Sequence, residues 1–427
     1  MILFNSTKRS NRLDYTLDYV FKQRLGIDYQ YVDTFEPLSP LDFLMAYGVR
    51  SDKADCQMKA QGILFDEGTK NQYNNNDFLG LQDFNFIENT WEDALAAVFF
   101  HLSRYEEYQT EDYDVHGRFQ ADQSCLKTVG FKPIIDSWIN GFKSHLIKTG
   151  KYQATDFKVE AFEHKATIDI DAAFAYKGRS LIRTTLAFGK DLLRFKWSEL
   201  YQRAIVLLGL KPDPNDNFKQ QFDTLSTLKA NYFFLLGPYG NFDKNISSSN
   251  KRFQQLIKAV KAAGHTVGIH PSYASFLNPE AVLKQKQTLE TIIGHEVIHS
   301  RQHFLKMQLP KSYQLLLEIG IQHDHSMGYS NTTGYRAATA QAFYWFDVSK
   351  NQSTHLYIHP FVVMDVAYKQ HHQLNAEQSI QASKTWLENS KALQIPFTFV
   401  FHNESLSQHR GWQKFDHLFK FWCHGNH

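Results

Sequence analysis

The chain of 427 residues contains few cysteines and has almost no excess of charge of either sign. Cys56, Cys125 and Cys423 are far apart and form no CxxC spacing, so neither a disulfide framework nor a cysteine zinc site is expected. The 46 Lys and Arg residues nearly balance the 44 Asp and Glu residues. This balance argues against a nucleic-acid-binding protein and against a polybasic membrane binder.

Long hydrophobic runs are also lacking. The longest, Ala94–Phe100 and Ala204–Leu208, are far too short to span a bilayer. The early basic residues Lys8 and Arg9 are not followed by the apolar stretch of a secretory signal. We therefore expect a cytoplasmic chain without a membrane span. Its hydrophobic content of 43% and charged content of 21% are typical of a folded protein.

The pattern along the chain changes near Lys165. Before it, the sequence predicts helices over about Trp91–Tyr108, where Glu106 and Glu107 are expected on a solvated face, and over Ile134–Lys148. After it, short apolar runs alternate with helical stretches, which predicts a parallel sheet, either open or closed into a barrel. The predicted strands are Ala166–Ile170, Tyr232–Leu236, Thr266–Ile269, Glu296–Ser300, Ile319–His323, Tyr357–Val362 and Phe397–Phe401.

The first predicted strand ends in two carboxylates, Asp169 and Asp171, which project from the same side of an extended chain. Like charges held together favour a bound cation or a shared proton, so the pair indicates metal binding or acid–base chemistry. By itself the pattern is common, and a turn with one helix-capping Asp is the alternative.

Further polar residues follow other predicted strands, at the edge where α/β proteins build their sites. His270 is placed as a metal ligand, because imidazole and carboxylate together suit a divalent first-row ion. An arginine at a strand end can hold a catalytic carboxylate by a bidentate pair. The residues at these strand ends are Asp169, Asp171, His270, Arg301, Asp324 and His402.

In this order the residues resemble the polysaccharide deacetylase superfamily of carbohydrate esterases. TIDID, residues 167–171, is similar to the family's Thr-Phe-Asp-Asp motif with an Ile between the acids, and GHTVGIH, residues 264–270, to the lead-in to its first metal histidine. Arg301 is similar to its third-motif arginine, Asp324 to its fourth-motif acid, and Val400-Phe401-His402 to its final Leu-x-His. The run FFHLSRYEEY, residues 99–108, resembles the amino-terminal domain of a bacterial subgroup.

The resemblance implies an α/β fold: a distorted (β/α)₇ barrel over residues 156–427, preceded by a smaller α+β accessory domain over residues 1–155. It also implies a divalent metal, zinc in the first place and cobalt or nickel otherwise, held by Asp171 and His270. The family's second metal histidine is replaced here by Ala274. Because catalytic zinc normally takes three protein ligands, we expect His303 to supply the third; a substrate contact or a metal-free site is the alternative.

The implied activity is removal of an N-acetyl group from an amino sugar in an oligo- or polysaccharide or a glycan precursor. Asp169 would act as base, Arg301 would hold it, and His402 would act as acid with Asp324 beside it. Tyr273, Tyr335 and Trp345 are candidate sugar-binding rings, with packing as the alternative for each. The rival hypotheses are a non-catalytic glycan-binding protein on the same fold and a hydrolase of another ester or amide.

Overall fold

The computed structural model describes residues 1–34, 37, 39–69, 72–81, 84–86 and 90–425. Two sheets with helices around them make up this part of the chain. The strands are β1 Ile2–Ser6, β2 Tyr29–Tyr31, β3 Phe43–Tyr47, β4 Cys56–Met58, β5 Thr90–Trp91, β6 His164–Ile170, β7 Asn231–Phe234, β8 Thr266–Ile269, β9 His299–Ser300, β10 His323–Asp324, β11 Phe343–Asp347, β12 Gln352–Ile358, β13 Val363–Met364 and β14 Phe397–His402.

The helices cover both sheets. They are α1 Asn11–Leu17, which continues in wider π-helical turns over Asp18–Leu25, α2 Ala94–Ser103, α3 Ile134–Lys148, α4 Leu181–Leu193, α5 Trp197–Leu207, α6 Phe218–Thr224, α7 Lys251–Ala262, α8 Pro279–Ile293, α9 Lys311–Glu318, α10 Ala376–Leu393 and α11 Phe415–His424. Most helix N-termini are capped by a Ser, Asn or Asp side chain. Asn250 caps α7 in this way, and Asn375 caps α10.

The first sheet has the order β2-β1-β3-β4-β5, and all its strand pairs are parallel. The sequence stretch 1–155 therefore contains a small α/β arrangement rather than the expected α+β one. Apolar strands such as Ile2–Ser6 and Phe43–Tyr47 are buried almost throughout, as parallel strands covered by helices on both faces usually are. The boundary at residue 155 stays a prediction, and it falls between α3 and β6.

The second sheet has the order β11-β12-β10-β9-β8-β7-β6-β14-β13 and is parallel except for the pair β11–β12. No strand pairing in the described residues closes it into the expected seven-stranded barrel. Its two ends are nevertheless joined by a short stretch of backbone. After β12, the N–H of His359 donates to Asp324 of β10, and three residues later the N–H of Val362 donates to Thr398 of β14. The sheet is therefore strongly curved, and residues 359–364 cross between its ends.

All seven strands predicted from the second half are present, one with the predicted bounds and the others with shifted ends, and two further strands were not predicted. The strand β13 is only two residues long, and β11 pairs antiparallel at the edge, outside the strand–helix alternation. The predicted helix Leu181–Leu208 is two helices, because Phe195 takes a left-handed conformation with φ of 53° and reverses the chain. No helix in the described part of the chain is both long and apolar enough to cross a membrane.

Candidate active site

The two acids of the TIDID stretch lie at the carboxyl end of β6. Asp169 is buried and pairs in register with His402 of β14, while Asp171 follows the strand and is partly exposed. The next strands bring His270 and Arg301 to the same edge, because Ile269 and Ser300 are register partners. The sequence prediction that these strand ends meet is confirmed by this geometry.

Gly268 allows β7, β8 and β9 to approach this closely. A Cβ at this position would lie 2.8 Å from the carbonyl oxygen of His299 and 2.8 Å from the ring of Phe233. Both neighbours belong to packed strands and have no room to shift. A larger residue would separate the strands and displace His270, two residues further along.

Three side chains could hold one metal ion. One ligand atom from each of Asp171, His270 and His303 lies within 4.8 Å of the others. The Nε2 of His270 is 3.2 Å from Asp171 Oδ1, and the Nε2 of His303 is 3.5 Å from Asp171 Oδ2. His303, which was expected as the third ligand, is thus in position to take the role that Ala274 cannot fill.

Each of the two histidines uses Nδ1 in a hydrogen bond and turns Nε2 toward Asp171. His270 Nδ1 donates to the carbonyl oxygen of Arg301 at 2.6 Å, and His303 Nδ1 donates to Asp243 Oδ1 at 2.9 Å. Because Nδ1 donates in both rings, Nε2 is the atom that shares a proton with Asp171 or, once deprotonated, offers its lone pair to a metal ion. A carboxylate and two imidazoles with oriented lone pairs form a donor set that fits zinc, cobalt or nickel.

Asp243 is a functional residue that the sequence analysis missed. It is buried and accepts three hydrogen bonds, from His303 and from the backbone N–H groups of Tyr273 and Ala274. It therefore ties the loop that contains Ala274 to His303, the candidate third ligand. Asp243 lies nine residues after the end of β7, so the strand-end pattern gave no signal for it.

Charge is strongly coupled among these groups. Burial alone would raise the pKa of Asp171, but the charge of His303 and the hydrogen bonds of both histidines hold it well below its usual range. Burial alone would lower the pKa of His303, and the carboxylates of Asp171 and Asp243 outweigh it and raise that pKa to about 9. The site therefore stabilises positive charge facing Asp171, which is what a cation needs.

Asp169 is accompanied by Arg301, as the resemblance implies. The Nε of Arg301 is 3.4 Å from Asp169 Oδ1, and its Nη2 donates to Thr167 Oγ1 at 2.7 Å. The guanidinium is fully buried between the rings of Phe233 and Phe361, with its central carbon about 5 Å from each centroid. This packing fixes the position of the Arg301 guanidinium against Asp169.

His402 is held by Asp365 and not by Asp324, which corrects the expected pairing. The Nδ1 of His402 is 2.8 Å from Asp365 Oδ1, and its backbone N–H donates to Oδ2 at 2.7 Å. Burial alone would lower the pKa of His402, but the charge and hydrogen bond of Asp365 raise it to about 10. Asp324 instead accepts from the N–H and hydroxyl of Ser326, and burial raises its pKa to about 6.

Asp365 could have been found from the sequence. It directly follows the apolar run 361–364, in the same way that His402 follows the mostly apolar run 397–401. The Nε2 of His402 points back toward the two acids of β6, at 3.9 Å from Asp169 Oδ2 and 4.0 Å from Asp171 Oδ2. Asp169, His402 and the three candidate metal ligands therefore surround one point.

These groups open into a cavity of about 320 Å³. Part of its wall comes from the first 155 residues: His116 and Arg118 line it, and Arg118 donates to the carbonyl oxygen of Phe304 at 2.9 Å. Other lining residues are Gln302, Leu305, Ser330, Met364, Val366, Gln370, His371, Glu404, Ser405 and Trp412.

The three candidate sugar-binding rings have different locations. Tyr273 lies beside the cavity, with its hydroxyl 3.2 Å from Nδ1 of His116. Tyr335 and Trp345 are buried in the core away from the cavity lining, where Tyr335 is bonded to Ser390 and Trp345 packs on Tyr313. For these two rings the sugar-binding prediction is wrong, because helix and strand packing covers both.

Residues 2–151 match a family described as a family of unknown function, DUF7033. No curated protein matches the chain.

Several solved structures are similar to about three fifths of the chain. A Mycobacterium smegmatis protein assigned as a polysaccharide deacetylase is 12% identical, with a TM-score of 0.40, covering 62% of this chain and 83% of its own. An allantoinase is 10% identical, with a TM-score of 0.39 and coverage of 61% and 85%. The polysaccharide deacetylase of Bacillus cereus is 13% identical, with a TM-score of 0.28 and coverage of 62% and 86%. At such values, residue roles in this chain rest on its own geometry.

Proposed function

We propose that the chain is a metal-dependent hydrolase that removes an N-acetyl group from an amino sugar of an oligo- or polysaccharide or of a glycan precursor. One observation carries the proposal: the ligand atoms of Asp171, His270 and His303 face one point, with Asp169 and His402 beside it. A pure binding protein has no need of a buried Arg301 behind Asp169 or of Asp365 behind His402.

The metal ion, when bound, lowers the pKa of a coordinated water and polarises the acetamide carbonyl. Asp171, His270 and His303 hold it. Asp169 accepts the proton of the attacking water, and Arg301 holds this carboxylate in position. A bond forms between the water oxygen and the carbonyl carbon, and the charge on the carbonyl oxygen is then stabilised electrostatically.

His402 is the proton donor for the leaving group. Its raised pKa, about 10, keeps the imidazole protonated at neutral pH, and Asp365 fixes its orientation. When the carbon–nitrogen bond breaks, the Nε2 proton passes to the departing amine. The products are a free amino sugar and acetic acid, which ionises to acetate; Asp169 then releases its proton to solvent and His402 takes one up, so atoms and charge balance.

Metal content of the purified protein tests the ligand assignment. We expect about one zinc, cobalt or nickel per chain in wild type and a loss of most of it in His303→Ala. His371→Ala is the matched control, because His371 lines the cavity but is not among the three ligands. Equal occupancy in wild type and His303→Ala would exclude His303 as a ligand, and no metal uptake in wild type would contradict the proposal.

Acetate release tests the reaction. We expect release from N-acetylated oligosaccharides, with Asp169→Asn reducing turnover by roughly 10²–10⁴-fold while metal content stays unchanged. Release from O-acetylated substrates alone would replace the proposal by an esterase. Full metal binding without any acetate release would favour the glycan-binding alternative.

A further inference from the structure

The α4–α5 hairpin, residues 181–210, exposes an unusual amount of apolar surface. Helix α4 contains no buried residue, although it is rich in leucine. The large hydrophobic side chains exposed in this segment are Leu181, Ile182, Leu186, Leu192, Leu193, Phe195, Trp197, Tyr201, Leu207, Leu208 and Leu210. Contiguous exposed surface of this kind marks an interaction site.

The exposed residues form stripes at helical spacing. On α4, Ile182, Leu186 and Leu193 recur at i, i+4 and i+11, and each is more than 60% exposed. From α5, Trp197 and Tyr201 belong to the same kind of stripe. Such a face normally packs on a core, so its exposure indicates that it meets something outside the chain.

The charge around this face is strongly positive. Residues 177–211 contain eight Lys and Arg but only two acidic residues, a net charge of +6, whereas the whole chain has +2. Both acids are already paired: Asp191 is 2.6 Å from Arg203, and Glu199 is 2.6 Å from Arg410. The balanced composition of the whole chain therefore hides a local basic segment.

The geometry points to an anionic phospholipid bilayer as the occupant. We infer that the hairpin lies on such a surface, with its leucines and aromatic rings at the boundary between headgroups and acyl chains. Exposed Lys190, Arg194 and Lys196 alternate with the apolar side chains, which matches a surface that is apolar inside and negative outside. Trp and Tyr favour that boundary because one end of each ring is polar.

The hairpin stands at the same edge of the sheet as the candidate site. It begins ten residues after Asp171, and its base is fixed by Asp213, which accepts backbone N–H groups of Ala175, Tyr176 and Lys177 at 2.7–2.9 Å. A bound bilayer would therefore lie on the side of the molecule where the cavity opens.

Sedimentation with lipid vesicles tests the inference without any substrate, so it is independent of the proposed reaction. We expect the full chain to bind vesicles of equal parts phosphatidylcholine and phosphatidylglycerol. Binding should be far weaker to vesicles of phosphatidylcholine alone, and far weaker to the mixed vesicles at high salt. Leu193→Ser with Phe195→Ser, and separately Arg194→Glu with Lys196→Glu, should each weaken binding at least roughly tenfold.

The matched control is Leu41→Ser with Val159→Ser, which removes exposed apolar side chains elsewhere and should leave binding unchanged. Because the substituted hairpin residues are exposed, thermal unfolding of all variants should match that of wild type. Failure to bind the mixed vesicles, or equal binding by the hairpin variants, would overturn the inference. The inference would also be overturned if wild type bound no vesicles but self-associated in solution, and if Leu193→Ser with Phe195→Ser abolished that self-association. A second copy of the chain would then be what covers the apolar face.

Discussion

Two buried carboxylates each accept a hydrogen bond from Nδ1 of a histidine, and the two histidines have different proposed roles. Asp243 orients His303, whose Nε2 faces Asp171, and Asp365 orients His402. The N–O distances, 2.9 and 2.8 Å, are nearly the same. The two histidines are therefore held in the same way. They differ in the proposed role of Nε2, which is a metal ligand in His303 and a proton donor in His402.

We expect Asp243→Asn to weaken metal binding by about 10–100-fold. The amide oxygen of Asn can still accept from His303, but a neutral amide does not stabilise the ligand tautomer of His303 as a carboxylate does. Competition with a chelator of known affinity measures the change. An unchanged metal affinity in this variant would show that the Nδ1 contact of His303 has no role in binding.

Asp365→Asn should have the opposite profile. Metal affinity is expected to stay within about threefold of wild type, while kcat falls by roughly 10²–10⁴-fold, because His402 loses the charge that raises its pKa. Steady-state kinetics together with the same chelator competition separate the two effects. A loss of metal equal to that of Asp243→Asn would contradict the assignment of His402 as proton donor.

At this scale the sequence predicted the residue types at the strand ends but not all of their partners. Asp169, Arg301 and His402 come together because β-strand periodicity and parallel register bring strand ends together. The partners of His303 and His402 depend on how long loops pack. Local patterns mark both Asp324 and Asp365 as acids at strand ends but do not show which of them faces His402, and so Asp324 was assigned in place of Asp365.

Among the elements, the strands β9, β10 and β12 bring together four histidines that are not candidate ligands. Two of them lie in β9 and β10, and the other two directly follow β10 and β12. The rings of His299 and His323 stack at 4.5 Å and those of His325 and His359 at 4.3 Å. The Nδ1 of His299 is 3.2 Å from Nε2 of His325, and the Nδ1 of His323 is 3.0 Å from Nε2 of His359. We call these four residues the histidine cluster.

The histidine cluster is neutral in the folded protein. Burial lowers the pKa of all four rings, that of His299 to about 4 and those of His325 and His359 well below the usual range. Neighbouring rings and cations act in the same direction for three of them. The cations concerned are Lys165, Lys229, Lys261 and Arg301.

Below about pH 6.5 these rings bind protons in the unfolded chain but not in the folded chain. Protonation therefore stabilises the unfolded state, and the free energy of unfolding decreases as pH falls below that value. Above it, the cluster's contribution is constant. We expect His325→Phe to flatten the decline in stability between about pH 6.5 and pH 5. Denaturant unfolding at several pH values measures it, with the exposed His417→Phe as control. Equal slopes in wild type and His325→Phe would contradict the prediction.

Apolar runs identified the central strands of the second sheet, whereas edge strands and helix breaks escaped sequence reasoning. The two-residue β13 carries too little pattern to be seen, and it is paired only because residues 359–364 lead the chain back to β14. The first sheet was missed for a related reason. Its short strands Tyr29–Tyr31 and Cys56–Met58 lie among long polar stretches.

For the whole molecule, buried ion pairs join the two halves of the chain. Glu107, which was expected on a solvated helix face, is buried and lies 2.6 Å from Arg336 and 2.7 Å from Arg104. Burial alone would raise its pKa, but the charge of Arg336, followed by that of Arg104, lowers it. Sequence position alone could not show this, because Arg336 lies more than 200 residues further along the chain.

Removing this charge should destabilise the entire fold. We expect Glu107→Gln to lower the free energy of unfolding by roughly 3–5 kcal/mol, because Arg104 and Arg336 would stay buried without their carboxylate. Glu377→Gln is the control: its pair with Lys414 is exposed, so a change below about 1 kcal/mol is expected. Denaturant unfolding followed by circular dichroism and by tryptophan fluorescence should give coincident transitions in wild type. Two separate transitions, or a Glu107→Gln variant as stable as the control, would mean that the two halves of the chain fold independently. In that case the part of the cavity wall formed by His116 and Arg118 would be held in place by surface contacts alone.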